Sequence, residues 1–143
     1  MKNIIYILFL IVGISTYGQN TSFEDKYKVE FKFVQEETKE LLPGSIIEIF
    51  SGNERIDVGI SDFSGNQYFY LKKRKIKHNK INIKVYGIKC KVHKQKLILK
   101  NNLKKTIFLK YGETEYVNRK NLGEFIKKLN FPEPEPFLCG TID

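Results

Sequence analysis

The sequence predicts an all-β fold, a sandwich of about seven short strands followed by one short amphipathic helix and a tail. Three observations carry this. Tyr27-Lys28-Val29-Glu30-Phe31-Lys32-Phe33 alternates apolar and polar residues without a fault, the period of a strand with one wet face. Pro43-Gly44, Ser51-Gly52-Asn53-Glu54 and Asp62-Phe63-Ser64-Gly65-Asn66 punctuate the chain at short intervals, leaving segments of strand length between them. Helical spacing arrives only with Leu122, Phe125, Ile126 and Leu129, at i, i+3, i+4 and i+7.

The first 18 residues stand apart from this pattern. Lys2 precedes an apolar run, Ile4 to Ile14, and small residues at Thr16 and Gly18 suit cleavage before Gln19. A bilayer span needs ~20 residues, so the run reads as a secretory signal peptide rather than a transmembrane helix. A buried N-terminal strand or a retained anchor is the competing reading. The expectation is an exported protein: periplasmic, on the outer surface or secreted. No cysteine follows the run closely enough to take a lipid anchor, and no later stretch is long and apolar enough to cross a membrane. The remainder, about 125 residues, is enough for one core. It divides into a lead-in at 19–26, a sandwich at 27–111, and a helix with a Pro-rich tail at 112–143.

Beyond the opening strand, Pro43 fixes φ and Gly44 accepts a positive φ, so the chain turns into Ser45 to Phe50. Ile46, Ile47, Ile49 and Phe50 are too apolar for a one-sided strand, which places it centrally or under cover on both faces. Arg55 to Ser61 returns with Ile56, Val58 and Ile60 on one face. Asp62 to Asn66 is a turn in which Asp accepts from nearby backbone N–H groups and Gly65 takes the left-handed position. A Ca²⁺ loop fits poorly, because Gly65 is fourth where a sixth-position Gly is needed and Lys73 stands at the twelfth. Gln67 to Leu71 is an aromatic strand, and Ile81 to Tyr86 alternates until Gly87. Lys89 to Val92 places Cys90 and Val92 inward, while Leu97 and Leu99 have the opposite parity, so a bulge or turn is expected near His93 to Lys96. In Lys105 to Tyr111, Ile107, Leu109 and Tyr111 share a face. Asn121, with Glu124 three residues on, resembles a capping box for the helix, which is expected to pack on the sandwich. Phe131-Pro132-Glu133-Pro134-Glu135-Pro136 then runs extended toward Cys139.

Formal net charge is +9, mostly from Lys. Such a chain attracts acidic polysaccharide, anionic lipid headgroups or nucleic acid by screened Coulomb forces, although a composition rich in Lys, Ile and Asn generates the same excess without a function. The densest run is Lys72-Lys73-Arg74-Lys75-Ile76-Lys77-His78-Asn79-Lys80. Lys72, Lys73, Arg74, Lys75, Lys77 and Lys80 are the candidate binding residues, for an anionic glycan or lipid surface. The competing reading is a solvated loop held open by like-charge repulsion. Nucleic acid is disfavoured, since the run has no interleaved stacking aromatics. Cys90 and Cys139 either pair, closing a loop worth ~4 kcal/mol in an oxidising compartment, or remain a buried thiol and a free tail thiol.

Leu42-Pro43-Gly44-Ser45-Ile46-Ile47-Glu48-Ile49, then Gly59-Ile60-Ser61-Asp62-Phe63-Ser64-Gly65-Asn66, then Ile83-Lys84-Val85-Tyr86-Gly87, resembles a carboxypeptidase regulatory-like domain. The resemblance covers roughly Tyr27 to Tyr111. It implies a seven-stranded transthyretin-like or immunoglobulin-like sandwich that serves as an accessory module on secreted enzymes and outer-membrane receptors, with no catalytic residues of its own. Two positions depart from the family pattern: Gln67 stands where an aromatic is usual, and Ile88 follows Gly87 in place of Tyr.

A search for chemistry agrees. His78 and His93 lack a nearby Ser or Cys in a nucleophile setting, and Cys90-x-x-His93 offers half of a zinc ligand set. Asp57 and Asp62 are carboxylates at or near turns, with no cleft implied between them. No catalytic residue, metal ligand or cofactor is expected. The expected function is a non-catalytic accessory, scaffold or binding module at the cell envelope, partnered by another protein or by anionic polysaccharide. The alternative is a binder of anionic glycan or lipid surfaces through residues 72–80.

Overall fold

The computed structural model describes residues 25–114, 116 and 119–131. Seven strands form two sheets: β1 (Lys26–Gln35), β2 (Ile46–Ser51), β3 (Glu54–Ile60), β4 (Asn66–Lys72), β5 (Lys80–Tyr86), β6 (His93–Ile98) and β7 (Leu103–Leu109). One sheet has the order β4-β1-β7 and the other β3-β2-β5-β6. Helix α1 (Arg119–Lys128) follows. Over the described residues the fold is therefore an all-β sandwich of seven strands with one short C-terminal helix. Among the described residues, no helix is long and apolar enough to cross a membrane.

The alternation in β1 does what its period requires. Tyr27, Val29, Phe31 and Phe33 are buried and face Ile47, Ile49, Ile81, Ile83 and Val85 of the other sheet across one continuous core. β1 pairs antiparallel with β4 and parallel with β7, so it is the central strand of its sheet. β2 is central in the second sheet, between β3 and β5. Its apolar excess is explained by a second cluster on the outer face, where Ile46 and Tyr86 meet Tyr116 and Phe125. Helix α1 lays Leu122, Phe125 and Ile126 on that face, as the helical spacing requires, and Leu129 just past its end joins them.

The turns use the chemistry their residues supply. The Asp62 carboxylate accepts from Ser64 N–H at 2.9 Å and Asn66 N–H at 2.8 Å. Gly65 has φ +71°, and a Cβ there would lie 2.9 Å from the Phe33 carbonyl oxygen, so the position admits only glycine without strain. Asp62 is thus a turn former.

Four local expectations need correction. Ile56 does not share a face with Val58 and Ile60: a register shift between Ile49 and Phe50 turns Ile56 toward the central core, while Val58 and Ile60 meet α1. The irregularity expected at His93 to Lys96 lies earlier. Cys90 N–H bonds the Gly87 carbonyl at 3.1 Å with Lys89 at φ 54°, and β6 then starts at His93. That turn sends Cys90 into the core and Val92 to the outer cluster. Tyr111 bridges Cys90 through the backbone but exposes its ring, unlike buried Ile107 and Leu109. Asn121 lies inside α1 rather than capping it, because the helix already begins at Arg119 after the chain is anchored at Tyr116.

Candidate binding surface

The basic run is built as two single 3-10 turns, Lys73–Lys75 and Lys77–Asn79, between β4 and β5. It is not the open loop that charge repulsion alone produces. Ile76, between the turns, is buried in the core, and Lys77 N–H donates to Ser51 Oγ at 2.8 Å. His78 and Asn79 both take positive φ, and the Asn79 carbonyl accepts from Leu99 N–H at 2.8 Å. An apolar pin and two hydrogen bonds thus oppose the repulsion of the flanking cations.

All six candidate residues are exposed. The fold gathers three of them: Lys72, Lys73 and Arg74 line a concavity of ≈ 300 Å³ together with Lys26, and among the described residues Asp25 is the one carboxylate on its wall. Lys73 Nζ sits 5.4 Å from the Tyr27 ring centroid, which fixes a cation over an aromatic face at the rim. Lys75 turns to a smaller recess of ≈ 150 Å³ with Asp57 and Tyr70, where the sandwich opens between β3 and β4. Lys77 and Lys80 line neither. Burial raises the Asp57 carboxyl above its ordinary range, while the Val58 N–H and the Lys75 ammonium oppose that shift.

The other sequence candidates take structural roles or stand alone. Asp57 belongs to this recess and Asp62 to its turn, so they form no carboxylate pair. The Cys90 thiol is buried and donates to the Ile88 carbonyl at 3.3 Å; burial, with Glu37 adding to it, pushes its pKa up. Its proposed disulfide partner, Cys139, lies outside the described residues. His93 borders a ≈ 290 Å³ hollow with Glu36, Phe108 and Lys110, and its Nε2 is buried without a hydrogen-bond partner. Among the described residues no group of three or more His, Cys, Asp or Glu side chains could hold a metal ion.

Sequence reasoning missed a buried polar constellation. Glu48, 5% exposed at the outer face of β2, accepts from Tyr86 Oη at 2.8 Å and from Arg55 Nη1 at 3.1 Å. The same guanidinium donates to the carbonyls of Leu129 and Asn130, just beyond the end of α1. Tyr116 Oη donates to the carbonyls of Tyr86 at 2.9 Å and Gly44 at 3.1 Å. The one available signal was Glu48 itself, a carboxylate inside an otherwise apolar strand. Phe63 is 93% exposed at the tip of the Asp62 turn.

No protein-family model matches the chain, and no curated protein matches it. Among solved structures it is similar to the 5-hydroxyisourate hydrolase of Klebsiella pneumoniae, with TM-score 0.49 and 5% identity over 61% of this chain and 92% of that one. It is also similar to the group B streptococcus pilus 2b backbone protein, with TM-score 0.47 and 13% identity over 60% of this chain and 41% of the pilus protein. The major pilin subunit of Bacillus cereus gives TM-score 0.44 and 15% identity over 61% of this chain and 30% of the pilin. The chain thus spans less than half the length of either pilus protein. At these identities and TM-scores nothing about the role or ligand of this chain follows from the likeness.

Proposed function

We propose that this protein is a non-catalytic β-sandwich accessory or scaffold module, exported to work at the cell envelope. The observation that supports it most is the use made of the buried polar side chains. Glu48, Arg55, Tyr86 and Tyr116 hydrogen-bond to one another and to backbone carbonyls, holding the C-terminal segment on the second sheet. Those groups serve architecture, and α1 covers them. The carboxypeptidase regulatory-like resemblance of Leu42 to Asn66 and the apolar leader at Ile4 to Ile14 point the same way. The test is cell fractionation with N-terminal sequencing of the expressed full chain. A product beginning at Gln19 in the envelope or medium is expected. A cytosolic product that retains Met1, or substrate turnover abolished by one point substitution, would overturn the reading.

The ordered basic turns favour a second reading, binding of an anionic glycan or lipid surface through residues 72–80. Replacing Lys72, Lys73, Arg74 and Lys75 with Gln should lower retention on immobilised heparin more than the same change at four other exposed lysines. Equal losses would assign the retention to net charge.

A further inference from the structure

The two sheets differ in what lies on their outer faces. α1 covers the second sheet. On the first, the outward positions of β1 carry Lys26, Lys28, Glu30 and Lys32, and register sets them beside β4 and β7. Lys26 opposes Lys72, Lys28 opposes Tyr70, Glu30 opposes both Tyr68 and Lys104, and Lys32 opposes Asn66 and Thr106. Tyr68 and Tyr70 are 46% and 51% exposed, although each is large and apolar enough for a core. Lys28 Nζ stands 5.8 Å from the Tyr68 ring centroid. Among the described residues, Glu30 is the one carboxylate at the outward positions of these three strands, and Lys104 neutralises it at 2.8 Å. The uncompensated charge on the face is therefore positive and interleaved with two aromatic rings. Lys26 and Lys72 also line the basic concavity, so face and concavity form one strip. At ~3.4 Å per residue, the strip runs about 20 Å along β1 from Lys26 to Lys32.

We infer that the outer face of the β4-β1-β7 sheet is a docking surface for an extended acidic polysaccharide, with Tyr68 and Tyr70 stacking on sugar rings and Lys26, Lys28, Lys32 and Lys72 meeting its carboxylates. Charge complementarity selects the acidic ligand. Two rings at alternate positions of one strand suit a linear chain of repeating rings, because successive same-face residues lie ~7 Å apart. The choice of a polysaccharide over a single-stranded nucleic acid, which also combines anionic charge with stackable rings, rests on the exported location proposed above.

The test uses the purified chain with three probes: polygalacturonate, neutral dextran and an oligo-dT strand. Two double variants, Tyr68→Ala with Tyr70→Ala and Lys28→Gln with Lys32→Gln, are compared with Lys94→Gln plus Lys96→Gln, which removes equal charge from β6 of the other sheet. All these positions are exposed or at a strand surface, and an unchanged urea midpoint verifies folding. Polygalacturonate affinity should fall about tenfold in each face variant and less than about twofold in the β6 variant, with no binding to dextran. Equal losses on both sheets, no loss from the tyrosine pair, or tighter binding to oligo-dT than to polygalacturonate would each overturn the inference. This titration is independent of the N-terminal sequencing, so either can fail alone.

Discussion

Arg55 Nη1 lies 3.1 Å from Glu48 Oε1, and the same guanidinium reaches the carbonyls at the end of α1. One planar fork therefore links a carboxylate on the central strand to a helix from the far end of the chain. Arg→Lys is a poor substitute at such a site, since an ammonium lacks the fork. The position also suits a cation electrostatically, because carbonyl ends are the negative pole of a helix.

Removing Arg55 leaves the largely buried Glu48 carboxylate with the Tyr86 hydroxyl as its remaining side-chain hydrogen-bond donor among the described residues. Arg55→Ala should destabilise the fold by about 2–3 kcal/mol, below the range for fully buried pairs because the Arg55 side chain is partly exposed. Glu48→Gln in the Arg55→Ala background should recover part of that loss by removing the unpaired charge. Urea unfolding of the four proteins in the cycle measures both. A coupling near zero would show that the pair does not hold the helix.

Tyr116 gives a pH signature. Burial holds its hydroxyl well above the ordinary phenol range, with the Ile46 N–H acting in the opposite direction and Cys90 adding to the rise. An acid whose folded pKa is raised contributes stability that is fully present below its unfolded pKa, ~10 for Tyr, and is lost as pH climbs toward the folded value. Wild-type stability should therefore decline above about pH 10. Tyr116→Phe should lose about 1 kcal/mol at neutral pH, from two carbonyls left without its donor, and show a shallower alkaline decline. Urea midpoints between pH 8 and 11, or about that window, read both effects.

Asp57 is expected to behave in the opposite sense from most acidic side chains. Burial raises its carboxyl pKa, so its contribution is most favourable at acid pH and worsens as pH rises through that raised value. Asp57→Asn keeps an oxygen for the Val58 N–H, which Asp57 now bonds at 2.9 Å, and removes the charge. The variant should be more stable than wild type at neutral pH and indistinguishable from it under acid conditions. Thermal melts at both pH values test this, and a destabilised neutral-pH variant would indicate that the Lys75 attraction outweighs burial.

The Asp62 turn should respond more to its glycine than to its aspartate. Gly65→Ala combines a left-handed backbone with a Cβ 2.9 Å from the Phe33 carbonyl oxygen, a cost of about 2–3 kcal/mol. Asp62→Ala removes an acceptor for two exposed N–H groups that water can replace, about 1 kcal/mol. Chemical denaturation gives the ranking, and adding Ca²⁺ should leave both midpoints in place.

The strands were readable wherever period two was unbroken. β1 displays its buried set directly, and the excess of isoleucine in β2 announced cover on both faces. Legibility failed where the backbone inserted an irregularity: the shift at Ile49/Phe50 reassigns Ile56, and the turn at Gly87 to Cys90 separates Cys90 from Val92. For the candidate surface, local charge identified Lys72, Lys73 and Arg74, but not the pin at Ile76 that shapes their turn. Tyr68 and Tyr70 were visible as strand aromatics. Their outward placement follows only when parity is fixed by buried Phe69 and Leu71. The Glu48–Arg55–Tyr86–Tyr116 constellation joins residues up to 75 positions apart along the chain, counting Arg55 to Asn130, so no local window contains it.

The parallel pairing of β1 with β7 also governs the order in which the molecule can be assembled. Of the described strands synthesis delivers β1 first, yet its second neighbour, β7, is the last of them. Until Leu103–Leu109 emerges, β1 offers one row of unpaired amides and carbonyls. Closure of the first sheet is therefore a late event that must close a long loop. The same delay keeps the edge of the first sheet unpaired until Leu103–Leu109 is available.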